Sequence, residues 1–274
     1  MSEEWGKPAD SWVPTDVDLA RPNAARVYDY FLGGAHNFDV DREFAGKIAE
    51  MMPEATTLAM RNRRFLQRAV RELCGLGIRQ FLDLGSGIPT VGNVHEIAQA
   101  IDPAARVVYV DNEAVAVAHS QLLLEDNPNA TVVAADITDP GRVLAHPNTR
   151  ELLDFDQPIA VILCAVLHFV PDEGDPKGLI ARYWDAVCAG SYLALSHGTM
   201  DNREDIQTVG DQYKNTANPV TLRSRAEVAA LLDGIELIEP GLIFTPLWRP
   251  EELDQVGTEE AKRSGVYAAV GRKS

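Results

Sequence analysis

Three aspartates and two glycines carry the first chemical signal in this sequence. Asp83 stands in "FLDLGSGIPT", just ahead of Gly85, Ser86 and Gly87; Asp111 ends "RVVYVD"; Asp136 follows "TVVAA". Each acid closes a short apolar run. A carboxylate beside closely spaced glycines suits a ligand that carries a cation and needs the backbone near it, because charge strengthens the hydrogen bond and glycine removes the side chain in the way. It suits a phosphate poorly. No GK[ST] follows the glycines, and Thr90 holds the sixth position, where a dinucleotide fingerprint needs glycine or alanine. Pro89 has no N–H for a phosphate at the next helix start, and Asp83 would oppose a pyrophosphate. Three histidines add groups that could act as a general base: His168 after the fourth apolar run, His197 after the fifth, and His36 near the N-terminus.

The elements that must position these groups follow from periodicity. The runs "QFLDL" (80–84), "RVVYV" (106–110), "TVVAA" (131–135), "IAVILC" (159–164) and "SYLALS" (191–196) read as strands buried on both faces, as in a parallel sheet. Helical spacing falls between them at about 92–101, 114–126, 140–153 and 177–188. That alternation predicts a doubly wound α/β fold. "IELIE" (235–239) and "GVYAAVG" (265–271) complete a mostly parallel, seven-stranded Rossmann-like sheet, preceded by a helix at Ala226–Leu232. Residues 240–264 read as irregular, so the last strand enters antiparallel. Ahead of the sheet, helices are expected at 24–32, from Asp39 to before Pro53, and from about Ala55 to Leu73. The organisation expected is a flexible lead-in over 1–20 and one domain over 21–274, with an N-terminal helical lid (21–75) on a Rossmann-like core (76–274).

In open α/β sheets, ligands bind beyond the carboxyl ends of the strands. The tips here are Asp83 with its glycines, Asp111, Asp136, the stretch Ala165 to His168, and His197. Asp83 can take an ammonium, Asp111 both hydroxyls of a ribose, and Asp136 an adenine amino group. S-adenosylmethionine unites these three parts without a phosphate. An aspartate is also a good helix N-cap, so each acid alone has a structural reading; their joint placement at successive tips favours the ligand.

The segments "FLDLGSGIPT", "VVYVDNEAV", "VVAADITD" and "ILCAVLHFVPD" resemble the ordered motifs of class I S-adenosylmethionine-dependent methyltransferases over roughly residues 78–200. Pro89 departs from the third glycine of that pattern. The box "RVYDYFLGGAHNFDVD" (26–41) resembles a bacterial S-adenosyl methyltransferase family long catalogued as a domain of unknown function. The resemblance implies the fold and the cofactor, with Asn112 beside Asp111, Ile137 beside Asp136 and Ala165 among the cofactor contacts. In the lid, Tyr28 and Gly34 are expected to touch the cofactor, with Tyr30, Phe31, Asn37 and Phe38 near it. Gly33-Gly34 is equally a helix stop, and Phe31 reads as core.

Composition removes several classes of function. The 274 residues carry a formal charge of −16, which disfavours nucleic acid and anionic membranes as partners. The arginines at 61, 63, 64, 68 and 71 read as a solvated basic face of one helix. The three cysteines show no CxxC spacing, and no HExxH or HxH suggests a metal. No signal peptide or apolar span is visible, so a reducing, cytoplasmic setting is expected. The reading reached is a methyltransferase acting on a small molecule. A cofactor-binding sensor or scaffold is the alternative, and an NAD(P)-dependent oxidoreductase a weaker one.

Overall fold

The computed structural model describes residues 17–90, 92–201, 204–214 and 216–274; most of the expected lead-in lies outside them. Five strands run parallel: β1 (Gln80–Leu84), β2 (Arg106–Asp111), β3 (Ala130–Ala134), β4 (Ala160–Cys164) and β5 (Tyr192–Gly198). Their order is β3-β2-β1-β4-β5, followed by β8 (Val266–Arg272), which pairs antiparallel with β5. The direction of winding reverses between β1 and β4. Side chains alternate across the sheet as the strand period requires. Leu82, Val108, Val110 and Val161 enter the core on one face, while Phe81, Val107, Tyr109 and Ile162 enter the core on the other. Burial on both faces is why these strands read as unbroken apolar runs.

The far edge differs from the expected seven strands. Beyond β8 lie two two-residue strands, β6 (Glu236–Leu237) and β7 (Ile243–Phe244), both antiparallel to β8. The sheet therefore has eight strands among the described residues. Pro240 lacks the N–H a ladder needs, and Gly241 turns the chain at φ 77°, so one edge lane is cut into two pieces.

Helices α3 (Ala55–Gly75), α4 (Val94–Ile101) and α5 (Ala114–Leu123) cover one face, and α6 (Pro140–Ala145), α7 (Pro147–Leu152), α8 (Pro176–Ala186) and α10 (Arg225–Leu231) the other. The single helix expected at 140–153 is two, because Pro147 cannot continue α6 and instead opens α7, where His146 Nδ1 accepts the Asn148 N–H. Two helices were not expected: α9 (Glu204–Tyr213) and α11 (Thr258–Lys262). The basic face of α3 is not solvated as a whole. Arg61 pairs with Glu260, Arg64 and Arg68 with Asp254, and Arg71 with Glu251, so the acidic 251–260 segment lies over it.

A third apolar cluster forms a roof above the strand tips. It joins α1 (Ala24–Phe31), α2 (Asp39–Met51), the start of α3, and α9 through Val27, Phe31, Ile48, Leu58, Ile206 and Val209. Arg26, 1% exposed, fastens this roof to the sheet. Its guanidinium lies 2.9 Å from Asp41 Oδ2 on α2 and 3.3 Å from Glu113 Oε1 in the loop after β2. It also donates to the carbonyls of Asp18 and Arg21. Asp41 accepts further bonds from the N–H groups of Asn23 and Phe38.

Candidate active site

Between roof and strand tips lies a cavity of about 510 Å³. Its floor is built from the ends of β1 to β5, so all groups on one rim of the sheet converge there. Asp83 is 5% exposed and lines the cavity. Burial pushes its carboxyl up to about 7; nearby Arg63 works in the opposite direction and Asp111 adds to the rise. Such a carboxyl gains most from a ligand that brings its own positive charge.

The loop after β1 is held by its backbone. The N–H groups of Gly85 and Ser86 donate to Val110 O at 2.8 and 3.1 Å, folding the loop over the end of β2. Gly85 adopts φ 70°, and a Cβ there would overlap Val166 Cγ2 from the β4 tip. Gly85→Ala should therefore lower unfolding free energy by ~1–3 kcal/mol through overpacking, with added strain from φ, as read by urea denaturation. Gly87 donates its N–H to Asp111 Oδ2 at 2.7 Å, and Glu113 N–H reaches Asp111 Oδ1 at 2.9 Å. The Asn112 N–H also bonds this carboxylate, and the acceptor capacity left on it suits a ligand hydroxyl. Asp136 is exposed at the rim, where its Oδ1 accepts from the N–H and hydroxyl of Thr138. Ser86, Asn112, Ile137 and Ala165 also line the cavity. Ser86 Oγ is buried with no partner among the described residues.

A chain of polar contacts runs from the β4 tip to the roof. Ala165, at φ 55°, donates its N–H to Ser196 Oγ at 2.9 Å. Ser196 donates to Asn62 Oδ1 at 2.6 Å, Asn62 Nδ2 donates to the Tyr28 hydroxyl at 3.0 Å, and Tyr28 donates to Ala59 O at 3.1 Å. Tyr28 thus lines the cavity with its hydroxyl already committed, and burial pushes it up to about 12. Phe31 lines the cavity as part of the roof core. Arg63 enters the lining beside Asp83 and bonds Asn93 Oδ1 at 2.7 Å, the only one of the five basic-face arginines in this lining.

Of the three histidines, the cavity receives His168 alone. Gly198 N–H donates to His168 Nδ1 at 3.3 Å, so the ring proton sits on Nε2. Burial first, then His197 and Arg223, push its pKa down to about 3. It remains neutral and offers a donor. A proton-accepting role at Nε2 does not fit this arrangement.

His197 lies outside the lining and is fully buried. Strand β5 continues two residues past its expected end, so His197 sits within the ladder opposite Tyr267 rather than at a tip. Its Nδ1 donates to Gly198 O, and its Nε2 accepts from Arg223 Nη1 at 2.9 Å. Burial above all pushes it down to about 4. It is a strut.

His36 also lies outside the lining. Its ring rests on His119, centroids 3.4 Å apart, and its N–H donates to Asp29 Oδ2. Gly34 meets Asp29 rather than the cavity, since a Cβ there would overlap Asp29 Oδ1. Its small size serves the loop around that buried acid. Tyr30, Asn37 and Phe38 are outside the lining as well.

Sequence reasoning did not single out Asn62, Ser196, Tyr213 or Ser264, and it placed Arg63 on a solvated basic face rather than in a site. Asn62 had a signal, because an amide four residues after Leu58 and four before Leu66 interrupts an apolar stripe.

The strand order and the converging tips belong to a fold shared with methyltransferases. The chain belongs to the S-adenosyl methyltransferase family, whose model matches residues 10–274. It is similar to the crystal structure of a candidate methyltransferase from Thermobifida fusca YX, 37% identical, with a TM-score of 0.90 over 96% of this chain and 99% of that one. A DUF574 family protein from Streptomyces avermitilis MA-4680 is 38% identical, with a TM-score of 0.89 over 93% and 98%. An O-methyltransferase family protein from Burkholderia thailandensis shares the fold at 14% identity, with a TM-score of 0.53 over 93% of this chain and 64% of that one. No curated protein matches the chain. No helix among the described residues is long and apolar enough to cross a membrane.

Proposed function

We propose that this protein transfers the methyl group of S-adenosylmethionine to a small-molecule acceptor. One observation carries the reading. A buried carboxyl at Asp83, with Arg63 beside it, faces the same cavity as Asp111, whose carboxylate is set in place by backbone N–H groups and retains acceptor capacity. Asp83 takes the ammonium of the amino-acid tail and Arg63 its carboxylate. Asp111 takes the two ribose hydroxyls, and Asp136 at the rim takes the adenine amino group. Ser86 Oγ, orphaned in the free protein, gains a partner. The carbons around the sulfur meet Tyr28 and the β4 tip at Ala165.

When bound, the cofactor would supply a methyl carbon on a sulfonium: the new bond from the acceptor's lone pair to that carbon would be balanced by cleavage of the carbon–sulfur bond, whose electron pair stays on the departing thioether sulfur. The protein holds the partners at near-attack distance and keeps water out; positioning of this kind is equivalent to effective molarities of about 10⁵ M or more. His168 orients the acceptor by donating from Nε2. The charge of −16 argues against a nucleic-acid acceptor, and the three free cysteines suit a reducing cytoplasm.

Asp111→Ala should weaken the cofactor by about 1.5–3 kcal/mol, the loss expected for hydrogen bonds to a charged group. Calorimetry with S-adenosylmethionine, S-adenosylhomocysteine and NAD tests the cofactor, and unchanged affinity in this variant would remove the ribose assignment. Transfer of a labelled methyl into a metabolite extract tests the enzyme. A saturated protein that labels nothing would be a sensor or scaffold instead.

A further inference from the structure

The cavity has two chemically unlike halves. Every charged side chain in its lining belongs to one of them: Asp83, Asp111, Glu113 and Asp136 at the tips of β1 to β3, and Arg63 on α3 above Asp83. The other half runs under α2 and α9, over the tips of β4 and β5 to the start of β8. Its walls are Ile48, Met52, Phe169, Ile206, Val209 and Leu222, and among the described residues no charged group lines it. A charged molecule placed there would lose its hydration without gaining a counter-charge.

Of the polar groups in this lining, three have unused capacity. Ser264, at the entry to β8, is 0% exposed, and its Oγ has no partner among the described residues. Tyr213, at the end of α9, meets Phe44 edge-on, and its ring lies tilted to that of Phe169 with centroids 6.5 Å apart. Burial alone raises its hydroxyl, with no hydrogen bond opposing the effect, so it stays protonated. His168 holds its Nδ1 against Gly198 N–H and keeps its Nε2–H to donate. A buried hydroxyl without a partner is uncommon in a finished core and has a ready explanation where a ligand completes it.

We propose that this second half is the acceptor subsite, and that it takes a small, uncharged, mostly apolar molecule bearing hydrogen-bond acceptor atoms, held by the hydroxyls of Tyr213 and Ser264 and by the Nε2–H of His168. The identification as an acceptor subsite rests on the methyltransferase reading. The chemical selectivity rests only on the walls.

Three probes built on one bicyclic ring test it by competition calorimetry and ligand-observed NMR: quinoline, which is neutral with a ring-nitrogen acceptor; quinoline-4-carboxylate, an anion that keeps the ring nitrogen; and N-methylquinolinium, a cation without the acceptor. Each is titrated with and without S-adenosylhomocysteine. Quinoline should bind at least ~100-fold more tightly than either ion, as expected where a buried charge finds no partner. Tyr213→Phe and Ser264→Ala should each weaken quinoline about three- to tenfold, the effect of one lost hydrogen bond, and leave S-adenosylhomocysteine affinity unchanged. That second titration also reports that each variant is folded. Equal or tighter binding of an ion, or quinoline affinity indifferent to both variants, overturns the proposal. Failure of S-adenosylhomocysteine to bind overturns the cofactor reading instead, while the ranking of probes on the free protein still decides the chemistry of the pocket.

Discussion

Asp83→Asn should weaken S-adenosylmethionine by about 2–5 kcal/mol, the range for cutting one partner from a buried charge pair, and should stabilise the free protein at pH 8. The two effects have one origin. With no ligand, burial raises the Asp83 carboxyl to about 7 from an ordinary value of 3.8. The folded state therefore holds this proton more tightly than the unfolded chain. Its contribution to stability is full below about pH 4 and is lost as pH rises through 7, by ~4 kcal/mol. Asparagine has no proton to lose, so the variant escapes that loss. Binding has the opposite slope. Only the ionised carboxylate grips an ammonium well, so cofactor affinity in the native protein should rise up to about tenfold per pH unit below 7, flatten above it, and fall again once the ligand's own amino group loses its proton. Titration calorimetry from pH 5.5 to 8.5, paired with thermal melts of the free proteins, reads both. A flat affinity profile, or an asparagine variant that is no more stable at pH 8, would sink the assignment.

Arg26→Met should destabilise the folded protein by about 3–5 kcal/mol, because removing one member of a buried ion pair strands the other. Asp41, 0% exposed, would keep its two backbone donors but lose its cation. Glu113 would lose the same partner, and burial already holds its carboxyl above the ordinary value against the pull of Arg26. Adding Asp41→Asn should recover part of the loss, since the amide can still accept a hydrogen bond and carries no charge. Urea denaturation of the single and double variants measures this. A single-variant loss under ~1 kcal/mol would show that the pair contributes no more than a surface one.

What the sequence made legible follows from which interactions are local. The parallel strands were readable because burial on both faces leaves a run such as "RVVYV" with no polar interruption. Asp83 and Asp111 stood out because a carboxylate closing such a run is conspicuous. Strand β7 has two residues and exists only because β8 pairs with it; no periodicity can announce it. Helix α9 is hidden in "EDIQTVGDQY", where apolar residues are few and Gly210 lowers helical propensity. Five arginines spread around α3 do not reveal which one reaches the cavity; the other four pair with the distant 251–260 segment, and one of them, Arg68, is itself buried. His168 and His197 follow successive strands in the same way in sequence. Two further residues of ladder in β5 separate them, one in the cavity and one in the sheet. The Ser196–Asn62 bond joins residues 134 apart, and local pattern carries no trace of it.

The Arg26 fastening has a reach beyond its own neighbourhood. Its guanidinium touches the side chain of Glu113, and the N–H of that same residue is bonded to Asp111 Oδ1. Two contacts therefore separate the cap from the acid assigned to the sugar. Free energy linking two such events is mutual: whatever occupancy does to seat the helices, seating the helices must do for occupancy. A substitution such as Asp41→Asn, remote from any ligand atom, should thus be felt in the dissociation constant, and a saturating nucleoside should in turn protect α1 and α2 from hydrogen exchange.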